Sequence, residues 1–275
     1  MLKGALAYPD CSPRGVHGGA TNMSGVTSYD TLDSLKALVS DAYVNLKVSL
    51  KLELPKSRET VLELFDRVRR QYPTMNQFGK HGEELALETG PGELPYRWLA
   101  VRTRNIRSGV VNPDDFLSAH ALHKHVLEII PYYLNISPLD IDSVELLFGA
   151  DISAAGNHDE AVYNALIADS PLSNLLVHDC TVTDCQPVLT SSVPDEPGVE
   201  VQYEVKTRCH GNAREGEHNP EPISVYLTVR KTGPLANLDE LGKTYEMLAK
   251  HGEHLVEHAM IPSLVVPIRG SVSSY

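Results

Sequence analysis

The stretch that decides the fold is V-N-L-K-V-S-L-K-L-E, Val44–Glu53. Val44, Leu46, Val48, Leu50 and Leu52 alternate with Asn45, Lys47, Ser49, Lys51 and Glu53. Successive side chains of a strand point to opposite faces, so the alternation makes this a strand with one apolar and one polar face. A parallel sheet covered on both faces would read as a continuous apolar run; this pattern predicts an antiparallel sheet packed on one side only. Pro55 ends the strand, and Ser57 stands where an N-cap belongs, before a helix bearing Val61, Leu62, Phe65 and Val68 with Pro73 beyond it. Strands are predicted at 83–88 and 96–105, separated by the turn-forming T-G-P-G-E-L-P. Asn112 and Pro113 then open a helix expected to run to Ile130, before Pro131.

Working outward, the same order returns. Val144, Leu146, Phe148, Ala150 and Ile152 alternate as a strand, followed by a helix from Asn157 with Val162, Tyr163, Leu166 and Ile167, and Pro171 past its end. Strands are expected near 176–187, 198–208 and 222–231, then a long helix from Leu238 to Met260 before Pro262. Phe65, Val68 and Pro73 match Tyr163, Leu166 and Pro171 at an offset of 98; Leu99–Arg102 match Leu227–Arg230 at 128; His120, His123, Ile130 and Pro131 match His251, His254, Ile261 and Pro262 at 131. Repeated order at compatible offsets points to an internal duplication. The expected fold is therefore α+β: duplicated strand-helix-strand-strand-(strand)-helix units with a largely antiparallel sheet. Residues 1–29 have no apolar period and read as an N-terminal arm; 30–135 form the first half, beginning with a short helix bearing Leu32 and Leu35; 141–262 form the second, and 263–275 a C-terminal tail.

Composition narrows the class of function. The 275 residues, 42% hydrophobic and 22% charged, support a globular core. The net charge is −12, and residues 142–275 carry all of it with 8 basic and 20 acidic side chains, which argues against a duplex nucleic-acid binder. Four cysteines are too few for a disulfide framework, the first residues lack the apolar run of a signal peptide, and no apolar run approaches 18 residues. A cytoplasmic protein, off the membrane, is the expectation.

On the segments F-D-R-V-R-R-Q-Y-P, L-A-V-R, L-T-V-R and the closing helices ending I-I-P and M-I-P, the chain resembles a sporadically distributed, uncharacterised bacterial family with two α+β halves. It is also similar to the paired strand-helix-strand-strand ligand-binding folds of the GyrI-like and SOUL-like proteins. The latter resemblance implies a ligand groove between the halves; the former carries no activity.

Chemistry has few places to sit. Phe116, His120, His123, Leu127 and Ile130 form one stripe of their helix, and Met247, His251, His254, His258 and Ile261 form another. Paired imidazoles bind ligands, hold metals or move protons near neutral pH, or they simply pack and hydrogen-bond. Neither helix has an H-E-x-x-H motif. Arg97, Arg102, Arg104 and Arg107 form a third group; Trp98, with Arg102 and Arg104 expected on its strand face, suits a flat or anionic ligand, or else forms an ordinary exposed face. His178, Cys180, Cys209 and His210 are a weaker metal alternative, since their spacing matches no zinc pattern. No phosphate loop and no nucleophile motif occurs, so no cofactor is predicted. Three functions stay open: a non-enzymatic small-ligand-binding or interaction module, preferred here; an enzyme using histidines of the closing helices; and an adaptor or homo-oligomer subunit with an acidic partner surface.

Overall fold

A computed structural model describes residues 28–55, 57–177, 180–194, 196–208 and 221–272. The chain order is α1 (Ser28–Lys36), β1 (Asp41–Leu50), α2 (Arg58–Gln71), β2 (Met75–His81), β3 (Glu84–Thr89), β4 (Tyr96–Val101), β5 (Asn105–Val111) and α3 (Phe116–Tyr133). A 3-10 turn leads into β6 (Ile141–Ile152), α4 (His158–Leu166), β7 (Val188–Ser192), β8 (Val199–Lys206), β9 (Ile223–Thr232) and α5 (Asp239–Leu255). A π-helical segment, Val256–Val265, joins α5 to α6 (Val266–Val272).

All nine strands form one antiparallel sheet in the order β2-β3-β4-β5-β1-β6-β9-β8-β7. The fold is α+β, as the alternation requires. β1 and β6 pair along their whole lengths at the centre, Asp41 opposite Asp151 through to Leu50 opposite Ile141. Reading outward from this seam, each half places its first strand, then its last, then the preceding ones. β1 and β6 thus hold equivalent places, as do β5 and β9. One match is overturned by this arrangement: Leu99–Val101 lies in β4, one strand out from β5, whereas Leu227–Val229 lies in β9, next to the seam. The shared L-x-V-R pattern reflects two half-buried strands, not equivalent positions.

One face of the sheet carries the core. Ala42, Val44, Leu46, Val48 and Leu50 of β1 are buried, as are Val144, Leu146, Phe148, Ala150 and Ile152 of β6. Each of the larger of these side chains stabilises the fold by roughly 1.5–3 kcal/mol relative to exposure, and the two alanines by less. The described helices pack on this face: Phe116 of α3 meets Phe148 edge-on at 5.6 Å, and α5 packs on β6 and β9. Caps fall where the side chains allow them. Ser57 accepts from Thr60 N at α2, Asn157 from Asp159 N at α4, and Asp115, not Asn112, caps α3 through Ser118 N. Asn112 instead takes a positive φ of 50° and bonds Asp41 with its amide.

Several elements differ from expectation. β2 was not anticipated; its polar sequence M-N-Q-F-G-K-H suits an exposed edge strand. The strand expected at 96–105 ends at Val101, and a separate strand, β5, follows over Asn105–Val111. The described residues of 176–187 form no strand, and β7 begins only at Val188. Pro131 lies within α3, and Pro262 within the π-helical segment. Proline lacks the N–H for the i−4 bond, and a widened turn is how a helix absorbs such a misfit. The chain past Pro262 stays in the fold: Val265 and Ile268 are fully buried, and α6 packs on α4.

Candidate functional site

The expected histidines do not converge. His120 and His123 of α3 are both buried. His123 donates its Nε2 proton to the Val44 carbonyl at 3.2 Å and accepts from the Ser108 hydroxyl at Nδ1, 2.8 Å away, bracing α3 on β1 and β5. Burial, reinforced by the His120 charge, pushes its pKa down to about 3, so this ring is neutral. His120 bridges to α5. It donates from Nε2 to Glu253 at 2.7 Å and accepts at Nδ1 from the Tyr245 hydroxyl at 2.5 Å. Burial and then the Glu253 charge raise Tyr245 well above its usual value, keeping the phenol protonated as donor. His120 and exposed His254 do line one groove of about 410 Å³ with Thr31, Phe116 and Glu253, but His120 has both nitrogens engaged inside the protein. His251 is half-buried and lines no part of that groove; His254 stacks on His258, ring centres 4.2 Å apart.

Trp98 sits elsewhere, on the face that the described helices leave open. β4 ends at Val101, so Arg102 and Arg104 lie in the following turn rather than on its face. Arg102 pairs with Glu84, and Arg104 lies 3.8 Å from Glu53. The cation against the indole is Arg107 of β5, 5.6 Å from the ring centre.

The strand register assembles three rows across this open face. Trp98, Gly109, Asn45, Leu147, Thr228 and Gln202 stand side by side in the first. Arg107, Lys47, Glu145, Arg230 and Glu200 form the second. Tyr96, Val111, Tyr43, Gly149, Tyr226 and Glu204 form the third. Lys47 and Arg230 share Glu145, each at 3.2 Å. Two cations therefore meet one carboxylate at the seam, with Arg107 at one end of the row and Glu200 at the other, in a protein whose net charge is −12. Two glycines let the rings lie flat on the backbone. A Cβ at Gly109 would come within 2.4 Å of the Trp98 ring, and one at Gly149 within 2.0 Å of the Tyr43 ring.

Beside the rows, Asp151 accepts from Ser224 at 2.7 Å and from the Tyr43 hydroxyl at 3.1 Å. Burial raises the Asp151 carboxyl above the ordinary carboxylate range; burial and the Asp151 charge together raise the Tyr43 phenol. Tyr226 lies 6.4 Å from Tyr43, with Lys206 over its ring at 5.8 Å.

Arg107 was one of the expected arginines; Tyr43, Asn45, Lys47 and Arg230 were not among the expected site residues. The usable signal was the pair of mid-strand glycines in I-R-S-G-V-V and L-L-F-G-A-D, since glycine inside a strand marks close approach to the backbone. Of the metal alternative, His178, Cys209 and His210 lie outside the described residues; Cys180 is exposed. Among the described residues no group of three or more His, Cys, Asp or Glu side chains is placed to hold a metal ion. No described helix is long and apolar enough to cross a membrane. No protein-family model matches the chain, and a search of curated proteins finds no match.

Proposed function

We propose that the protein is a non-enzymatic binding module that receives a flat, anionic small molecule on the open face of its sheet. The observation that carries this reading is the row Arg107, Lys47, Glu145, Arg230 and Glu200, with the row of Trp98 beside it and that of Tyr43 one row further, both rings on glycine-floored backbone, on the face away from the core. Guanidinium and ammonium groups supply charge to an anion, and the rings supply a stacking surface. The seam between halves is where the GyrI-like and SOUL-like resemblance puts a ligand, and equivalent placement of β1 and β6 supports descent of the halves by duplication.

Trp98 is the single tryptophan, so its fluorescence reports directly on this face. The probe is 1-anilinonaphthalene-8-sulfonate, a flat aromatic anion. Saturable energy transfer from Trp98 to the dye is expected, weakened at least about tenfold by Arg107→Glu or Lys47→Glu, the loss of one charge-assisted contact, and unchanged by His254→Gln. Transfer that is absent, or indifferent to the charge reversals, rules the reading out.

One observation favours the adaptor or homo-oligomer reading. β7 is an edge strand of sequence V-L-T-S-S, exposed throughout and without charge or proline. Such an edge pairs readily with another strand. Sedimentation of the wild type against Thr190→Lys tests it; concentration-dependent association confined to the wild type is the supporting result.

A further inference from the structure

A second polar cluster lies on the helix side of the first half, away from the rows above. Tyr72, the C-cap residue of α2, is flanked by side chains from two other elements. The Arg97 guanidinium, from β4, lies 5.8 Å from its ring centre, and the His125 ring, from α3, lies 6.1 Å away at a tilt of 58°. Arg67 of α2 is close enough to His125 for its charge to act on the imidazole. The neighbouring Arg69 and Arg70 are both held by Asp66 at 2.7 Å, but Arg67 and Arg97 make no ion pair among the described residues.

Two atoms of this cluster are out of balance. Arg97 Nε and His125 Nε2 are both shut off from solvent, and neither has a hydrogen-bond partner. A buried donor without an acceptor is costly, and a charged one more so. Arg97 acts on the tyrosine and Arg67 on the imidazole, and the exposed Glu128 of α3 acts on both. An anion bound beside Tyr72 would supply acceptors to these nitrogens and oppose the two cations.

We propose that Arg97, Arg67 and His125 form an oxyanion site around Tyr72, taking a carboxylate or phosphate group. Arg97 and Arg67 supply the fixed charge, and His125 donates from Nε2 once an anion is present. Burial, and then the Arg67 charge, now disfavour imidazolium; a bound anion opposes both, so binding raises the His125 titration midpoint. The groups facing that imidazole are Arg67 from α2, Arg97 beyond Tyr72 from β4, and Glu128 from α3 itself.

The test uses the full chain and histidine-ring NMR, with the His125 signal assigned through His125→Gln. Inorganic phosphate and acetate are titrated separately against chloride at equal ionic strength. Saturable movement of the His125 resonance and an upward shift of its midpoint are expected. Stronger binding of phosphate assigns the group as phosphoryl, and stronger binding of acetate assigns it as carboxylate. Arg67→Gln should weaken the effect about tenfold or more, in line with loss of a charged hydrogen-bond donor, at an unchanged melting temperature. Arg97→Gln should abolish it, while Arg104→Gln leaves it intact. If Arg97→Gln fails to fold, Arg67→Gln alone decides. No saturable shift with either anion, a shift that chloride reproduces, or full binding by Arg67→Gln overturns the proposal.

Discussion

His123 shows how a single residue can carry both fold and acid sensitivity. It is fully buried and neutral, with both nitrogens satisfied. Its folded pKa of about 3 lies below the 6.5 of an unpaired histidine. The unfolded state therefore binds the proton first as pH falls. His123 favours the fold above pH 6.5, and that contribution is lost between pH 6.5 and 3, at up to roughly 1.4 kcal/mol per pH unit. In urea unfolding at pH 7, 5 and 4, His123→Gln should be less stable at pH 7 and show a flatter decline; equal slopes would remove the assignment. Gly149 is the second sensitive position. Gly149→Ala must push the Tyr43 ring off the backbone, and a cost of about 1–3 kcal/mol is expected from such overpacking, readable by thermal melting. A neutral effect would mean that Tyr43 has room to move. The stripe of His120 and His123 was legible in the sequence because helical spacing is strict. What each ring touches was not, because Val44, Ser108, Tyr245 and Glu253 come from three other elements, β1, β5 and α5.

Among the elements, the last one was the least anticipated. Proline is a stop signal in a sequence, yet the helix passes Pro262 by widening, and α6 then docks Ile268 against α4. Ile268→Ala should cost about 2–5 kcal/mol, the range for a buried isoleucine. Removal of residues 263–275 should lower the melting temperature further still; wild-type melting of either protein would show that α6 is dispensable. The first strands and the caps at Ser57 and Asn157 were readable because each is fixed by local chemistry. β2 was not, since a polar edge strand has no apolar period to betray it. The expectation of a strand at 176–187 came from apolar residues such as Leu176 and Val177, which the structure leaves exposed. The turn of Arg102 and Arg104 was missed because alternation continues in sequence past Val101 after the strand has ended.

At the scale of the whole molecule, the halves share one sheet and cannot be separate domains in the folding sense. The seam pairs β1 with β6 over the length of β1, with Leu46 opposite Leu146. A fragment of residues 28–137 would bare one long edge of β1 and the side of α3 that meets α5. That fragment should sediment as a dimer or larger species; a stable monomer would show that each half folds without its seam. Fold class was legible because alternation is a property of the chain. The strand order, and with it the rows on the open face, depends on which strands return to the seam, and the misleading L-x-V-R match shows that short likeness cannot supply that. The first described helix, α1, rests against the π-helical segment near the other end of the chain. These two elements thus meet, and along the chain the halves are linked by the short stretch around Ser137. The order in which they are synthesised then becomes interchangeable: a permutant with its old ends tied by a flexible peptide, opened before Pro138, should regain the same circular dichroism spectrum, translating the acidic half first.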